Sequence, residues 1–270
     1  MKKIITRTAY LLSFLIISTP VYLFLFFDIN NYKKEITKYV SAKTNYNFRY
    51  EGKLSLNLLF PTIITIPNIE IRENTSLDSS TLIIQIAEAK LSVSLNELLD
   101  GIINVDEISA KDFIYHGINV DDILMKTYSI LKFNSFSSLD DNTTSFETIS
   151  AIATIVDEKM VINSIYMETG LLEMKGVGSI NLSTKDAVFE MTGNLKNKEK
   201  LRGKYYSNYP SELSGEELPI KMSGKMDNLS ISINFNKILK DKLKPISNDV
   251  MDKLKDKVID ELKEKLRLPF

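Results

Sequence analysis

The amino-acid sequence predicts a mainly β protein with helices. An N-terminal transmembrane helix precedes an antiparallel β-rich body, and an amphipathic helix ends the chain. Three observations predict this class: Ala9–Phe27 contains no charged residue, apolar and polar side chains alternate through most of residues 46–236, and residues 237–270 place apolar side chains every three or four positions. With 270 residues, of which 44% are hydrophobic, the chain can bury a core in one or two domains.

The uncharged stretch Ala9–Phe27 is predicted to be a retained membrane anchor. A helix needs about 20 apolar residues to cross a hydrocarbon core, whereas the apolar part of a cleaved signal peptide spans only about 7–15. No small-x-small cleavage site follows Leu23–Phe27. Because the basic segment Met1–Arg7 precedes the span, we expect residues 1–8 in the cytoplasm and the chain after about residue 30 on the other side.

Residues 28–118 are predicted to form a first β segment that opens with a short helix. Residues 29–43 place their apolar side chains at helical spacing, and the alternating strands follow. Pro61 and Pro67 are expected to bound strands, because proline cannot donate to a ladder. The alternation is seen at Leu54–Leu56, Ile64–Ile66, Ile69–Ile71, Ile84–Ile86, Leu91–Leu95 and 102–115.

A helix and a loop over residues 119–147 are predicted to divide this segment from a second one. Apolar residues recur at helical spacing over 119–132, and Asp121 and Asp122 favour the start of a helix. Residues 133–145 are rich in Ser, Asn, Asp and Thr, which predicts a flexible loop.

The second β segment, residues 148–236, alternates more regularly, with a polar loop over 195–217. The apolar side chains on one face of its strands are the candidate binding residues: Leu172, Met174, Phe189, Met191, Ile220, Met222, Leu229, Ile231, Ile233 and Phe235. Such a face must be buried, either as the filled core of a sandwich or around another apolar molecule such as a lipid. The pattern alone leaves both open, with the filled core favoured.

The tail, residues 237–270, is predicted to be an amphipathic helix that is continuous over about 246–267 because Pro245 interrupts it. Three roles remain open for it: covering an open edge of the sheet, docking on a membrane surface, or packing against a partner.

The composition argues against catalysis and nucleic-acid binding. The formal net charge of −1 gives no basic surplus for phosphate contacts. The absence of cysteine excludes thiolate sites, and the single histidine, His116, cannot form a His-rich metal site. Gly176 and Gly178 lie inside a predicted strand, where glycine marks a bulge or a close backbone approach rather than a phosphate loop. We therefore expect no enzyme activity, no cofactor and no metal.

Several motifs make the chain resemble the AsmA family of bacterial membrane-anchored periplasmic proteins. The stretch Gly176–Thr184 is similar to the family's G-x-G-x-hydrophobic-x-Leu-x-Thr pattern, and Leu218–Leu229 resembles its closing Leu-Pro strand. The anchor, the first helix and Gly101–Ala110 resemble the family's amino-terminal region. The resemblance implies an inner-membrane anchor and an elongated, curved sheet with an apolar groove.

The same resemblance implies a role in moving phospholipid toward the outer membrane or in regulating outer-membrane assembly and protein targeting to membrane. Its expected partners are membrane phospholipid, the inner membrane, and an envelope protein or a further copy of the chain. Many family members contain more β sequence between the two ends, so a sheet this short is not expected to cross a periplasm alone. The alternative is a structural or adaptor protein that docks an envelope-assembly partner through its β body and tail, without lipid transport.

Overall fold

The computed structural model describes residues 28–57, 61–74, 80–93, 103–131, 142–201 and 204–235. The predicted anchor at 9–27 and the predicted tail at 237–270 lie outside these ranges. Within them, no helix is long and apolar enough to cross a membrane.

The described residues form one antiparallel sheet of eleven strands, in which each strand from β3 to β11 follows its predecessor in both sequence and space. β1 pairs with β3, and the short β2 pairs with β3 beside it. The strands are β1 (Tyr46–Tyr50), β2 (Ser55–Asn57), β3 (Thr62–Glu73), β4 (Leu82–Val93), β5 (Ile103–His116), β6 (Thr143–Val156), β7 (Lys159–Thr169), β8 (Leu172–Asn181), β9 (Asp186–Leu195), β10 (Leu218–Lys225) and β11 (Asn228–Ile233). The prediction of a mainly β, antiparallel fold is confirmed.

The sheet curves into a half-barrel, with its apolar face on the inside. Side chains of β5 reach the last strand across this face, since the Leu229 backbone N–H donates to the Tyr115 hydroxyl oxygen at 3.4 Å. The ladders shift register at several points, including between Val105 and Ile108 and between Ile162 and Ile165. Such irregularities bend the strand that contains them and increase its twist.

Helices pack against the inside and one end of the sheet. They are a 3₁₀ turn (Ile29–Tyr32), α1 (Lys33–Thr44), α2 (Val120–Leu131), a 3₁₀ turn (Lys198–Lys200), α3 (Lys204–Ser207) and a 3₁₀ turn (Ser211–Leu213). The helices predicted over 29–43 and 119–132 are both confirmed. Ile36 and Val40 of α1 pack against the core, and Val120 and Leu124 of α2 are buried within it.

Two predicted boundaries are wrong. Pro67 does not bound a strand but lies inside β3, opposite Glu88, where the next residue, Asn68, adopts a left-handed φ of 44°. Residues 143–145 are not loop, because β6 begins at Thr143 and pairs with His116 of β5. The polar composition concealed this strand start.

Thr144 shows why that composition is compatible with a strand. Its hydroxyl donates to the carbonyl oxygen of Ile118 at 2.5 Å and accepts from the Val120 backbone N–H at 3.1 Å. The residue is buried, and it connects the start of β6 to the start of α2.

Candidate functional site

The inner face is built from rows of apolar side chains that run across the strands. Residues paired in antiparallel ladders point to the same side, so each row can be followed from strand to strand. One row contains Ile64, Leu91, Ile108, Ala151, Ile165, Gly176, Met191, Ile220 and Ile233. The next contains Thr62, Val93, Val105, Ala153, Ile162, Gly178, Phe189, Met222 and Ile231. The apolar face therefore continues across the whole sheet.

Glycines give the large side chains of these rows their space. A Cβ on Gly176 would lie 2.2 Å from the Glu190 carbonyl oxygen and 2.7 Å from the Met191 Cγ. One on Gly178 would lie 2.5 Å from the Phe189 ring. The close approach predicted for these two glycines is confirmed, and it explains why methionine and phenylalanine can lie across the neighbouring strand.

The ten candidate residues occupy β8–β11 and the residues that follow them. Strand pairing places Met174, Met191, Ile220 and Ile233 in neighbouring positions of the inner face. Eight of the ten are buried, namely Leu172, Met174, Phe189, Met191, Ile220, Met222, Leu229 and Phe235. Only Ile231 and Ile233 are half-buried. The candidate residues of β8–β10 are thus covered by protein, whereas Ile231 and Ile233 of β11 are half-buried, as are Ile64, Leu91 and Ile108 on the other side of the sheet.

We call this place the β11 window, meaning the half-buried pair Ile231 and Ile233 between the buried Leu229 and Phe235. The buried flanking residues hold the two ends of β11 against the rest of the body. The window is a short, half-buried apolar patch on the last described strand of the sheet.

One end of the strands is closed by a cap, which we define as α2 together with residues 196–217. Leu124 of α2 and Leu213 of the connecting segment are fully buried against the ends of the strands. They belong to the same buried cluster as Leu171, Leu172 and Leu218, none of which is exposed. The loop predicted over 195–217 as polar therefore contributes apolar side chains to the core.

Lys196 connects the cap to the sheet. Its ammonium group lies 2.9 Å from a Glu147 carboxylate oxygen of β6 and 2.8 Å from Glu168 of β7, although its side chain is only 5% exposed. Burial alone would lower the pKa of Lys196, but the two carboxylates outweigh it and raise the pKa above its ordinary value. A buried charge is costly without partners, so Lys196 must stay beside these two carboxylates. The pairing therefore fixes where residues 196–217 leave the sheet.

Two further polar contacts hold α2 in the cap. The Thr169 hydroxyl donates to the buried Asp121 carboxylate at 2.5 Å. The Tyr128 hydroxyl donates to the Glu212 carboxylate. Burial, followed by this carboxylate, raises the pKa of Tyr128 above its ordinary value.

Sequence reasoning missed the polar residues that shape the site. Lys196, Thr169 and Tyr115 act through partners 28 to 114 residues away, as Tyr115 does with Leu229. The spacing of residues along the sequence does not reveal pairs that are this far apart. Among the described residues, the buried hydroxyls of Tyr46 and Tyr50 meet no hydrogen-bond partner of good geometry. Burial, followed by the nearby Asp227 carboxylate, raises the pKa of Tyr46.

The structure brings no catalytic group of residues together within the ranges it describes. His116 ends β5, and its buried Nε2 has no hydrogen-bond partner there. The described residues contain no cluster of three or more His, Cys, Asp or Glu that could hold a metal ion. The inner apolar face is the feature that remains.

Comparison with known proteins finds a similarity over the first part of the chain. A family model, that of the AsmA family, matches residues 1–113, which include the predicted anchor, α1, β1–β4 and most of β5. The glycine and Leu-Pro motifs of β8–β11, which contribute most of the sequence resemblance, lie outside that match. No curated protein matches the chain. The match over residues 1–113 supports an AsmA-family assignment, as the resemblance predicts.

Proposed function

We propose that this chain is an inner-membrane-anchored protein of the bacterial envelope, with its β body in the periplasm. In this proposal it binds or transfers phospholipid toward the outer membrane, or regulates outer-membrane assembly. The similarity of residues 1–113 to the AsmA family supports an envelope role. The uncharged stretch at 9–27, preceded by basic residues, supports the anchor.

The β11 window is the observation that supports lipid binding most directly. Aliphatic side chains line it, and the rows behind it continue as apolar residues across the sheet. An acyl chain gains about 0.8 kcal/mol for each methylene group transferred from water to such a surface. The window is therefore a place where an acyl chain can contact the inner face without first displacing a buried side chain.

The dimensions argue against a complete conduit in one chain. The hydrogen-bonded path contains ten strands, whose spacing of about 4.8 Å gives roughly 43 Å across the sheet. The cap closes one end of the inner face. Transport to a second membrane would therefore need a partner or further copies of the chain.

Lipid binding is tested by purifying the full chain in mild detergent and identifying bound lipid by mass spectrometry. We expect phospholipid with the wild-type chain and a loss of at least several-fold with Ile231→Asp. Ser232→Asp is the matched control, because Ser232 is exposed on the opposite face of the same strand. Equal lipid content in all three proteins, or none in the wild type, would contradict the proposal.

Folding must be measured on the same variants. We expect Ile231→Asp to keep the circular dichroism spectrum and the cooperative unfolding of the wild type, since Ile231 is only half-buried. If Ile231→Asp unfolds the body while Ser232→Asp does not, the window is part of a filled core.

A structural or adaptor role is the second candidate, and the burial of eight of the ten candidate residues favours it. In this case the inner face is a core, and the β body and tail dock an envelope-assembly partner. Cross-linking from residues 246–270 would then capture one defined protein. Deletion of those residues would abolish that product and leave the lipid content unchanged.

A further inference from the structure

The outer face of α1 is the surface from which this inference starts. Ile36 and Val40 face the core, so the opposite side of the helix faces outward. This outward side presents Lys34, Glu35, Lys38, Tyr39 and Ala42, all of them exposed. Tyr39 is 67% exposed, and Tyr32, just before the helix, is 50% exposed. Exposed tyrosines beside lysines are typical of protein surfaces at a membrane interface.

The lysines of α1 divide into two groups. Lys33 lies over the Tyr50 ring, with Nζ 4.5 Å from the centroid, and Lys43 is paired with Glu158 at 3.8 Å. In the described ranges, neither Lys34 nor Lys38 forms an ion pair. With Glu35 between them, the outward face keeps a net positive charge that can meet an anion.

The connection between the predicted anchor and α1 is short and fixed. Asp28, the residue after the uncharged stretch, accepts a hydrogen bond from the Asn30 backbone N–H at 2.9 Å. The Asn30 side chain holds both the N–H and the carbonyl of Leu54, at 2.7 and 3.1 Å. The chain between the span and the helix is therefore bonded to the β body.

The other end of α1 is fixed as well. The Ser41 hydroxyl oxygen accepts from the Phe48 backbone N–H of β1 at 3.0 Å. A helix rises about 1.5 Å per residue, so Tyr39 lies no more than about 18 Å along the chain from Asp28. α1 thus cannot move far from the membrane or turn independently of the sheet.

We propose that the outward face of α1 lies on the headgroup layer of the membrane that holds the anchor, where Lys34 and Lys38 contact anionic phospholipid headgroups and Tyr39 enters the interface. This inference rests on the anchor in the proposed function. A lipid surface is the expected partner for two reasons. The predicted span ends at the residue before Asp28, and the positive charge of the outward face complements the negative charge of anionic headgroups. The contact would set the orientation of the sheet relative to the membrane.

The test uses the full chain in lipid nanodiscs of phosphatidylcholine with phosphatidylglycerol. Since the chain has no cysteine, Tyr39→Cys and Tyr206→Cys each give a single site for a nitroxide label. Tyr206 is the control, because it is similarly exposed, at 52%, on the cap. We expect the label at position 39 to collide at least threefold less with an aqueous nickel complex than the label at 206. Equal collision rates would overturn the inference.

Reversing the charge of the two lysines tests whether anionic headgroups, rather than another contact, protect position 39. We expect K34E/K38E in the Tyr39→Cys background to remove the protection in anionic discs, with an unchanged circular dichroism spectrum. The inference would also be overturned if the label at position 39 stayed equally protected in K34E/K38E, or if it were equally protected in discs of phosphatidylcholine alone.

The same samples distinguish this inference from the proposed function. Failure of the chain to co-elute with the discs would contradict the anchor. Absence of bound phospholipid after detergent extraction, with position 39 still protected, would contradict lipid binding by the inner face and leave the α1 contact standing.

Discussion

Strands β10 and β11 share the same rows of the inner face but differ in burial. Ile220 pairs with Ile233, and Met222 pairs with Ile231, so each pair occupies equivalent positions. The β10 members are 2% and 5% exposed, whereas both β11 members are half-buried. Burial here is decided by neighbours, because β10 has a strand on each side and β11 is paired only with β10 among the described residues. Identical patterns can therefore form a core on one strand and an accessible apolar surface on the next.

The cap and the β11 window differ in the same way. At the cap, α2 and residues 196–217 cover the strand ends and leave Leu172 and Leu213 no more than 1% exposed. At the window, aliphatic side chains meet solvent in part. If this comparison is right, substitutions at the cap act on stability, and those at the window act mainly on binding.

The largest expected effect is at the cap. Leu172→Ala should lower the free energy of unfolding by about 2–5 kcal/mol, since it leaves a cavity where nothing is exposed. Urea denaturation followed by circular dichroism measures this. Ile233→Ala is the comparison at the window, and it should lower the free energy of unfolding by markedly less. Equal losses for the two variants would remove the distinction between the cap and the window.

An intermediate effect is expected behind the window. Gly176→Ala should destabilise the protein by about 1–3 kcal/mol, because the added methyl meets the Glu190 carbonyl oxygen and the β9 backbone must move. The adjacent variant, Val177→Ala, removes a side chain that is exposed on the outer face and should change stability by less than about 0.5 kcal/mol. A neutral Gly176→Ala would show that the two strands are not closely packed there.

A smaller effect concerns pH and the cap. Burial and Glu212 raise the pKa of Tyr128 in the folded protein above its unfolded value of about 10. The stability that this phenol contributes is therefore fully present below pH 10 and is lost as the pH rises further. The free energy of unfolding of Tyr128→Phe should therefore fall less steeply with pH, between about pH 10 and 11, than that of the wild type.

The control for that pH series is measured at pH 8. There Tyr128→Phe loses only the hydrogen bond to Glu212, which is worth on the order of 1 kcal/mol. The variant should still lose some stability at alkaline pH, because burial also raises the pKa of Tyr115. An identical pH slope in variant and wild type would mean that Tyr128 is not held against Glu212.

The sequence was sufficient to predict the strands whose two faces differ. The alternation at Phe189 and Met191, and at Leu229 and Ile231, specified which side chains share a face. It was not sufficient to predict which of those side chains are exposed, because that depends on what lies across the curved sheet. The hydrogen bond from Leu229 to Tyr115 joins residues 114 positions apart, and no local pattern encodes it.

Polar residues were harder to interpret than apolar ones. Lys196 looks like an ordinary loop lysine, and its burial follows only from Glu147 and Glu168 on two other strands. Thr143 and Thr144 look like loop residues because of their composition, yet they begin β6. In each case a partner distant in sequence gives the residue its role.

We propose that lipid contacts the inner face at the β11 window. The most direct test of this claim is site-specific photocross-linking in membranes, with a benzophenone side chain placed at Ile231 and, as controls, at Ser232 and at Val188, which is exposed. Mass spectrometry of the irradiated protein should find a phospholipid adduct at position 231 and at neither control. Adducts at all three positions, or at none, would contradict the account.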